Sequence, residues 1–302
     1  MVYKTVQAMQ TTLHTLEQDA SLWHDVNFVP RVYALDQLSF HVLEQIENLQ
    51  YVHGYNAYLA QLSQRAEHLW TRLEQVNQQL FQRLREQIIA TPATGPLLHH
   101  LRGTYVGPSD LPLTWEDLDA DYLDIFINGV LGIARPPEET TPLHSGMIGY
   151  HPTPARAIFA LIELLHLRAT DVFYDLGAGL GRVALLVGLL TPAHARGIEF
   201  EPAYWAYAQQ RAEALHLTRV AFQNVDAREA TYTDGSVFFL YTPFTGEIMR
   251  TVLARLHGEA RTRPITIAAY GACTSVVEQQ PWLTRTAHQT FVYDTLALFR
   301  ST

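Results

Sequence analysis

The fold is decided by the stretch Val172-Phe173-Tyr174-Asp175-Leu176-Gly177-Ala178-Gly179-Leu180-Gly181. Its first part is short, apolar and bulky, which is typical of a buried strand. Three glycines follow at alternate positions, and glycine permits the tight turn that leads from a strand into the next helix. The stretch therefore predicts a strand, a glycine loop and a helix that begins at Gly181. This is the first unit of a parallel sheet covered by helices.

The same loop carries the first candidate binding residues, which are Asp175, Gly177, Gly179 and Gly181. An acid so close to a helix N-terminus disfavours a pyrophosphate and suits a cationic amino group. Arg182 takes the place of the last glycine of a dinucleotide fingerprint, where it would crowd the packing of helix on strand. A nicotinamide-dependent oxidoreductase is therefore the less favoured alternative.

From Thr153 onward, apolar strands alternate with helical segments, which predicts a doubly wound parallel sheet. The chain then ends in two strand patterns with little between them, so a terminal hairpin places one antiparallel strand in the sheet. The predicted strands are residues 172–176, 196–200, 220–224, 236–241, 264–269, 284–293 and 294–300.

Two further acids stand at predicted strand ends. Glu199 ends the second strand, where a carboxylate can accept two hydrogen bonds from a ribose diol. Glu201 is its nearest competitor, but Glu199 is closer to the strand tip. Asp226 follows the third strand, where an acid can accept a hydrogen bond from an adenine amino group.

With the DLGAGLG loop, Glu199, Asp226 and the closing hairpin, the sequence resembles class I S-adenosylmethionine-dependent methyltransferases. The resemblance implies a Rossmann-like methyltransferase sheet, S-adenosylmethionine as cofactor and S-adenosylhomocysteine as product. A narrower resemblance lies in Tyr150-His151-Pro152-Thr153, which looks like the Tyr-x-x-Thr element of the Dot1-like histone-lysine methyltransferases. That likeness implies that Tyr150 and Thr153 cover the methionine end of the cofactor.

The acceptor side is predicted at Tyr241-Thr242-Pro243-Phe244, after the fourth strand. Many methyltransferases that act on planar nitrogen have Asn/Asp/Ser-Pro-Pro-Tyr/Phe at this place. Only Pro243 and Phe244 conform, which argues against methylation of DNA or glutamine. Tyr241, Thr242 and Phe244 are the candidates for lining the transfer site.

Composition narrows the partners. The 302 residues include 30 acidic and 21 basic side chains, a net charge of −9, and the acidic excess lies in the N-terminal half. This balance argues against nucleic acid as a partner. We expect the methyl acceptor to be nitrogen or oxygen of a small molecule or a protein side chain. Cys273 is the one cysteine and no HExxH motif occurs, so no metal site is expected. No long apolar run occurs, so we expect a cytoplasmic protein without membrane contact.

The predicted organisation is a helical bundle domain at 1–92, a linker, lid and substrate-side segment at 93–149, and an S-adenosylmethionine-binding methyltransferase domain at 150–302. The clearest helix, from Tyr55 to Ala90, has one apolar face. Two arrangements fit that face, a bundle within the chain or a homodimer seam, and periodicity does not separate them. A cofactor-binding protein without catalysis, whose helical half binds a partner, is a further alternative.

Overall fold

The computed structural model describes residues 2–54, 56–90, 120–292 and 294–302. These residues form two compact units, one up to Gln87 and the other chiefly from residue 120 onward. The predicted domain boundaries stay predictions, and much of the predicted segment 93–149 lies outside the described residues. The part that is described, from residue 120, belongs to the same unit as the sheet.

The first unit is helical, as predicted. Its helices are α1 (Val2–Gln18), α2 (Phe28–Asp36), α3 (Glu44–His53) and α4 (Ala57–Ala90), of which residues 57–87 belong to this unit. A π-helical stretch over Gln37–Leu43 joins α2 to α3 without a break. Apolar residues of these helices form one buried cluster that includes Leu13, Leu38, Ile46, Leu62 and Leu69.

A buried arginine completes the interior of this unit. Arg31 has no exposed surface, and its guanidinium donates to Oδ1 of Asn77 at 2.6 Å and to the carbonyl oxygens of Leu22 and His24. Burial lowers the pKa of Arg31. The side chain therefore ties α2 to α4 and to the short helical turns before α2, because a buried guanidinium needs hydrogen-bond acceptors.

The second unit contains seven strands and six helices among the described residues. The strands are β1 (Val172–Leu176), β2 (His194–Glu199), β3 (Val220–Asn224), β4 (Val237–Leu240), β5 (Thr266–Tyr270), β6 (Leu283–Thr290) and β7 (Thr295–Ser301). The helices are α5 (Ala120–Leu131), α6 (Ala155–Leu165), α7 (Arg182–Leu190), α8 (Pro202–Ala214), α9 (Gly246–Ala260) and α10 (Cys273–Glu278).

The strand order is β3-β2-β1-β4-β5-β7-β6. Strands β1 to β5 are parallel, whereas β7 is antiparallel to both β5 and β6. The predicted doubly wound seven-stranded sheet with a closing hairpin is confirmed. The chain first winds outward from β1 to β3 and then returns to place β4 on the other side of β1. Ligands of such sheets bind where the order reverses, at the carboxyl ends of the strands.

Element bounds differ from the sequence prediction by a few residues. The helix over Cys273–Glu278 was not predicted, because six residues show too little periodicity to reveal it. The helix predicted near Trp115 to Leu131 is present over Ala120–Leu131, and its first residues lie outside the described part. None of the described helices is both long and apolar enough to span a membrane.

Candidate functional site

A cavity opens at the carboxyl ends of β1 to β4, at the place where the strand order reverses. It encloses about 1050 Å³ of empty space, including its open mouth. Ten of the eleven predicted site residues line it: Tyr150, Thr153, Asp175, Gly177, Gly179, Glu199, Asp226, Tyr241, Thr242 and Phe244. The fold therefore brings together residues that are up to 94 positions apart in the sequence.

The glycine loop forms the floor of the cavity. Gly177 has φ +81°, and a β-carbon there would lie 2.4 Å from Cβ of Pro243. Gly179 has φ +53°, and a β-carbon there would lie 2.6 Å from Cε2 of Tyr150. Both contacts are too short for a β-carbon, so glycine lets the loop pack against Pro243 and Tyr150 at these two positions.

The structure places Gly181 differently from the sequence prediction of a binding residue. It does not line the cavity, and a β-carbon there would lie 2.5 Å from Cζ of Phe222 and 2.8 Å from Cβ of Ala208. This glycine permits the close packing of α7 on α8 and β3. It is a packing residue, which a sequence motif alone does not distinguish from a ligand contact.

Asp175 is a deeply buried acid of the site. It is 3% exposed, and its Oδ2 has no hydrogen-bond partner among the described residues. Burial, reinforced by the nearby charge of Glu199, raises the pKa of Asp175 to about 8. A buried oxygen without a partner costs free energy, and a cationic donor arriving in the cavity would relieve that cost.

Glu199 lies beside the glycine loop, at the end of the neighbouring strand β2. Its Oε2 accepts from the backbone N–H of Gly179 at 2.6 Å, and its Oε1 accepts from that of Glu201 at 2.8 Å. Burial raises the pKa of Glu199. The two backbone hydrogen bonds hold the carboxylate at the end of β2, and each oxygen retains a lone pair for a further donor.

Glu201, the competing acid, is occupied by other groups. Its carboxylate accepts from the N–H and hydroxyl of Thr140, from the N–H of Thr141 and, at the start of α8, from the N–H of Ala203. Burial alone would raise the pKa of Glu201, but these hydrogen bonds outweigh burial and lower it to about 2. The role of Glu201 is to hold the chain segment that covers the cavity.

That segment, residues 132–153, is called the strap here. Tyr204 donates from its hydroxyl to Glu139 on one side of the cavity. On the other side, the N–H of Ile148 donates to the carbonyl oxygen of Pro243, and Met147 forms a β-bridge with Phe244. The strap is thus fixed at both sides and supplies the wall that contains Tyr150 and Thr153.

Asp226 has a partner that the sequence analysis missed. Arg228 donates from Nε to Oδ1 at 3.0 Å and from Nη2 to Oδ2 at 2.7 Å. Hydrogen bonding from Arg228 lowers the pKa of Asp226. Asp226 is therefore a fixed, charged acceptor at the end of β3. The presence of Arg228 two positions later in the sequence was the signal that could have predicted this pair.

Arg182 also corrects the sequence prediction. It does not crowd the helix–strand packing, which Gly181 permits, but points toward the strap and lines the cavity. Its Nη1 donates to the carbonyl oxygen of Thr153 at 3.1 Å, and its Nη2 pairs with the carboxylate of Asp124 on α5. Only the tertiary structure reveals Asp124, which is 58 residues away in the sequence.

On the predicted acceptor side of the cavity, the ring of Tyr241, which follows β4, lies near two other rings. The Tyr241 ring lies 4.7 Å from the Tyr270 ring and 5.7 Å from that of His151, as measured between centroids. Burial raises the pKa of Tyr241, so its phenol is neutral near pH 7. Among the described residues, no group of three metal-binding side chains is found there or elsewhere.

Thr242 and Phe244 line the cavity but also contact residues outside it. The Thr242 hydroxyl is turned away from the cavity, because it accepts from the N–H of Cys273 at 3.1 Å and donates to the carbonyl of Tyr270 at 3.4 Å. Phe244 is 5% exposed and packs in the hydrophobic core with Ile248 and Met249. Phe244 therefore belongs both to the cavity wall and to the core.

In comparisons with known proteins, this chain is similar only to solved structures, and at low sequence identity. No protein-family model and no curated protein matches the chain. An RNA methyltransferase from Salinibacter ruber, solved in complex with S-adenosyl-L-homocysteine, is 23% identical over 50% of this chain and 94% of its own, with a TM-score of 0.43. TrmN from Thermus thermophilus is 17% identical over 50% and 49%, with a TM-score of 0.42. A SAM-dependent methyltransferase from Aquifex aeolicus is 12% identical over 48% and 89%, with a TM-score of 0.42. Similarity at this level supports no conclusion about function. The functional proposal rests instead on the residues of the site.

Proposed function

We propose that this protein is an S-adenosylmethionine-dependent methyltransferase. The observation that supports the proposal most is the set of three carboxylates, Asp175, Glu199 and Asp226, at the ends of three adjacent strands around one cavity. A nucleoside with a cationic amino-acid arm offers donors that match all three. The ammonium group suits Asp175, the ribose diol suits Glu199 and the adenine amino group suits Asp226.

The protein's own residues would bind and orient the cofactor and would exclude water from it. Gly177 and Gly179 line the cavity and would lie against the bound cofactor, and Tyr150 and the strap would cover it. When bound, S-adenosylmethionine supplies a methyl group activated by its sulfonium. The remaining task of the site is to hold an acceptor in line with that methyl group, beside Tyr241 and His151.

We further propose that the acceptor atom is nitrogen or oxygen of a small molecule or a protein side chain. The acidic excess of the chain disfavours a phosphate backbone as partner. The phenol of Tyr241 is neutral and offers one donor and one acceptor to an incoming amine or hydroxyl.

Calorimetry tests the cofactor directly. The purified protein is titrated with S-adenosylmethionine, S-adenosylhomocysteine and NAD, and we expect binding of the first two only. Glu199→Ala should weaken S-adenosylhomocysteine about 10- to 150-fold, because a charge-assisted contact to the ribose is lost. Glu213→Ala, at an exposed position of α8, is the matched control and should have no effect.

Two results would contradict the proposal. One is binding of NAD without any binding of either sulfur-containing ligand, which would instead support a nicotinamide-dependent oxidoreductase. The other is unchanged affinity in Glu199→Ala, which would show that the ribose does not lie at the end of β2.

A further inference from the structure

A row of aromatic rings begins at the cavity and continues past the end of β5. The Tyr241 ring lies 4.7 Å from the Tyr270 ring, and the Tyr270 ring lies 5.7 Å from that of Phe291, which follows β6. The exposed His151 ring lies 5.7 Å from that of Tyr241. Tyr241 and His151 both line the cavity, so a ligand in the cavity reaches the row at these two rings.

The closing hairpin places a carboxylate beside this row. Because β7 is antiparallel to β5, with Leu296 opposite Tyr270, the residues just before β7 lie at the carboxyl edge of the sheet, where the cavity opens. Asp294 is one of them, and its carbonyl oxygen accepts from the N–H of Phe291 at 2.7 Å. The Asp294 side chain is half-buried, and its carboxylate has no hydrogen bond or ion pair among the described residues.

The charge of Asp294 acts on two phenols of the row. Burial raises the pKa of Tyr241 and of Tyr270, and the negative charge of Asp294 raises both further. Arg156 acts on Tyr270 in the opposite sense but less strongly, and Asp124 acts in the same sense as Asp294. At Tyr241, which lines the cavity, the charge that acts is that of Asp294. A cation beside Tyr241 would therefore have an aromatic ring and an unpaired carboxylate as partners, and both attract an ammonium ion.

We propose that the methyl acceptor is an amine that binds as an ammonium ion, and that Tyr241 and Asp294 select it. This inference rests on the proposed function, because it names the substrate class of the same site. It chooses nitrogen over oxygen and a cationic over a neutral acceptor.

The charge changes of the transfer favour the same choice. The ammonium ion first loses a proton to water. The nitrogen lone pair then forms the N–C bond to the methyl group while the C–S bond breaks, and its electron pair stays on sulfur. The products are a methylated ammonium ion and S-adenosylhomocysteine, so positive charge moves from sulfur to nitrogen, which a nearby carboxylate stabilises. A hydroxyl acceptor would instead develop negative charge near Asp294, which like charge disfavours.

Two probes of the same shape test the inference on the unaltered protein. Choline carries a quaternary ammonium group, whereas 3,3-dimethylbutan-1-ol has a neutral tert-butyl group in its place. The protein is first saturated with S-adenosylhomocysteine, and each probe is then titrated by NMR. We expect choline to bind at least about 10-fold more tightly than the alcohol, because only choline is attracted by the ring and the carboxylate.

The two proposals fail in different ways in this experiment. Equal affinities of the two probes, or no binding of choline, would overturn the inference and leave the proposed function standing. Failure of the unaltered protein to bind S-adenosylhomocysteine would overturn the proposed function itself.

Variants then locate the cation. Asp294→Asn should lower the ratio of choline affinity to alcohol affinity about 3- to 10-fold. Tyr241→Leu should also lower the ratio, whereas Tyr241→Phe keeps the ring and should keep the ratio. Asp294 does not line the cavity, so Asp294→Asn should leave the affinity for S-adenosylhomocysteine unchanged. A ratio that is unchanged in Asp294→Asn or in Tyr241→Leu would overturn the inference.

Glu163→Gln is the matched control for charge. It removes one negative charge, as Asp294→Asn does, but from an exposed position of α6 that does not line the cavity. We expect the ratio of the two probe affinities to stay the same in this variant. An equal fall of the ratio in Glu163→Gln and Asp294→Asn would show an effect of net charge alone and would overturn the assignment of Asp294.

Discussion

The ring of Tyr150 lies directly over Gly179, so close that a β-carbon on the glycine would be 2.6 Å from Cε2 and 2.7 Å from Cδ2 of the ring. The Tyr150 ring also lies 5.4 Å from that of Tyr204, which keeps it in place. The glycine loop and the strap are therefore in close contact at Gly179 and Tyr150, and a larger residue at 179 would displace the Tyr150 ring.

Gly179→Ala should disturb this contact. The new methyl group would displace Tyr150, and it would also meet the strain of a left-handed backbone at φ +53°, which costs about 1–2 kcal/mol. Gly246→Ala is a close control, because φ is +57° there and nothing lies within 4 Å of an added β-carbon. We expect both variants to lose stability in urea, and only Gly179→Ala to lose affinity for S-adenosylhomocysteine as well. Equal behaviour of the two variants in both measurements would show that Tyr150 is not in contact with the loop in solution.

The buried carboxyl of Asp175 should make stability depend on pH. Its pKa is about 8 in the folded protein against 3.8 for an unburied carboxyl, so between these values the folded state holds a proton that the unfolded state has lost. The free energy of unfolding should then fall as pH rises from about 4 to about 8, by up to about 1.4 kcal/mol per pH unit from this group.

Asp175→Asn should remove that part of the pH dependence. The difference between the urea stabilities of the two proteins isolates the group, and the variant should gain relative to the unaltered protein as pH approaches 8. Parallel curves between pH 5 and 8 would mean that Asp175 titrates as it does in the unfolded chain. The same variant should bind S-adenosylhomocysteine more weakly, because an amide cannot release a proton to become the anion that an ammonium group favours.

The Thr242 hydroxyl is expected to act in stability and not in binding. Thr242→Val would leave the N–H of Cys273 without its acceptor, at a cost of about 1–3 kcal/mol, whereas Thr242→Ser keeps the hydroxyl. Chemical denaturation should separate the two variants, and calorimetry with S-adenosylhomocysteine should not. A loss of ligand affinity confined to Thr242→Val would indicate that the hydroxyl turns into the cavity when ligand binds.

The helical unit should depend on Leu69 as a core residue. Leu69 is 5% exposed and lies in the same buried cluster as Leu62 and Leu73. Leu69→Glu would bury a charge without a partner, which costs several kcal/mol, so circular dichroism should show loss of helix. Gln75→Glu, at an exposed position of the same helix, should not. A folded Leu69→Glu protein that sediments as a smaller species than the unaltered one would instead support the homodimer seam.

The sequence by itself was sufficient for the fold of the second unit. Strand and helix periods alternate from Thr153 onward, and the glycine loop after Val172–Leu176 marks the first turn of a parallel sheet. These are local signals, because they depend on residues two to four positions apart. The acids at the strand ends were predictable for the same reason, since parallel strands bring their carboxyl ends to one edge.

Only the tertiary structure decided which side chains face the cavity. Gly181 packs against Phe222, the Thr242 hydroxyl turns to the Cys273 N–H, and Arg182 points to Asp124 on a helix far away in the sequence. The direction of each side chain follows from the elements that pack on it, and those contacts join residues 31 to 58 positions apart. A motif gives the position of a residue along the chain, whereas its role depends on the neighbours that packing brings to it.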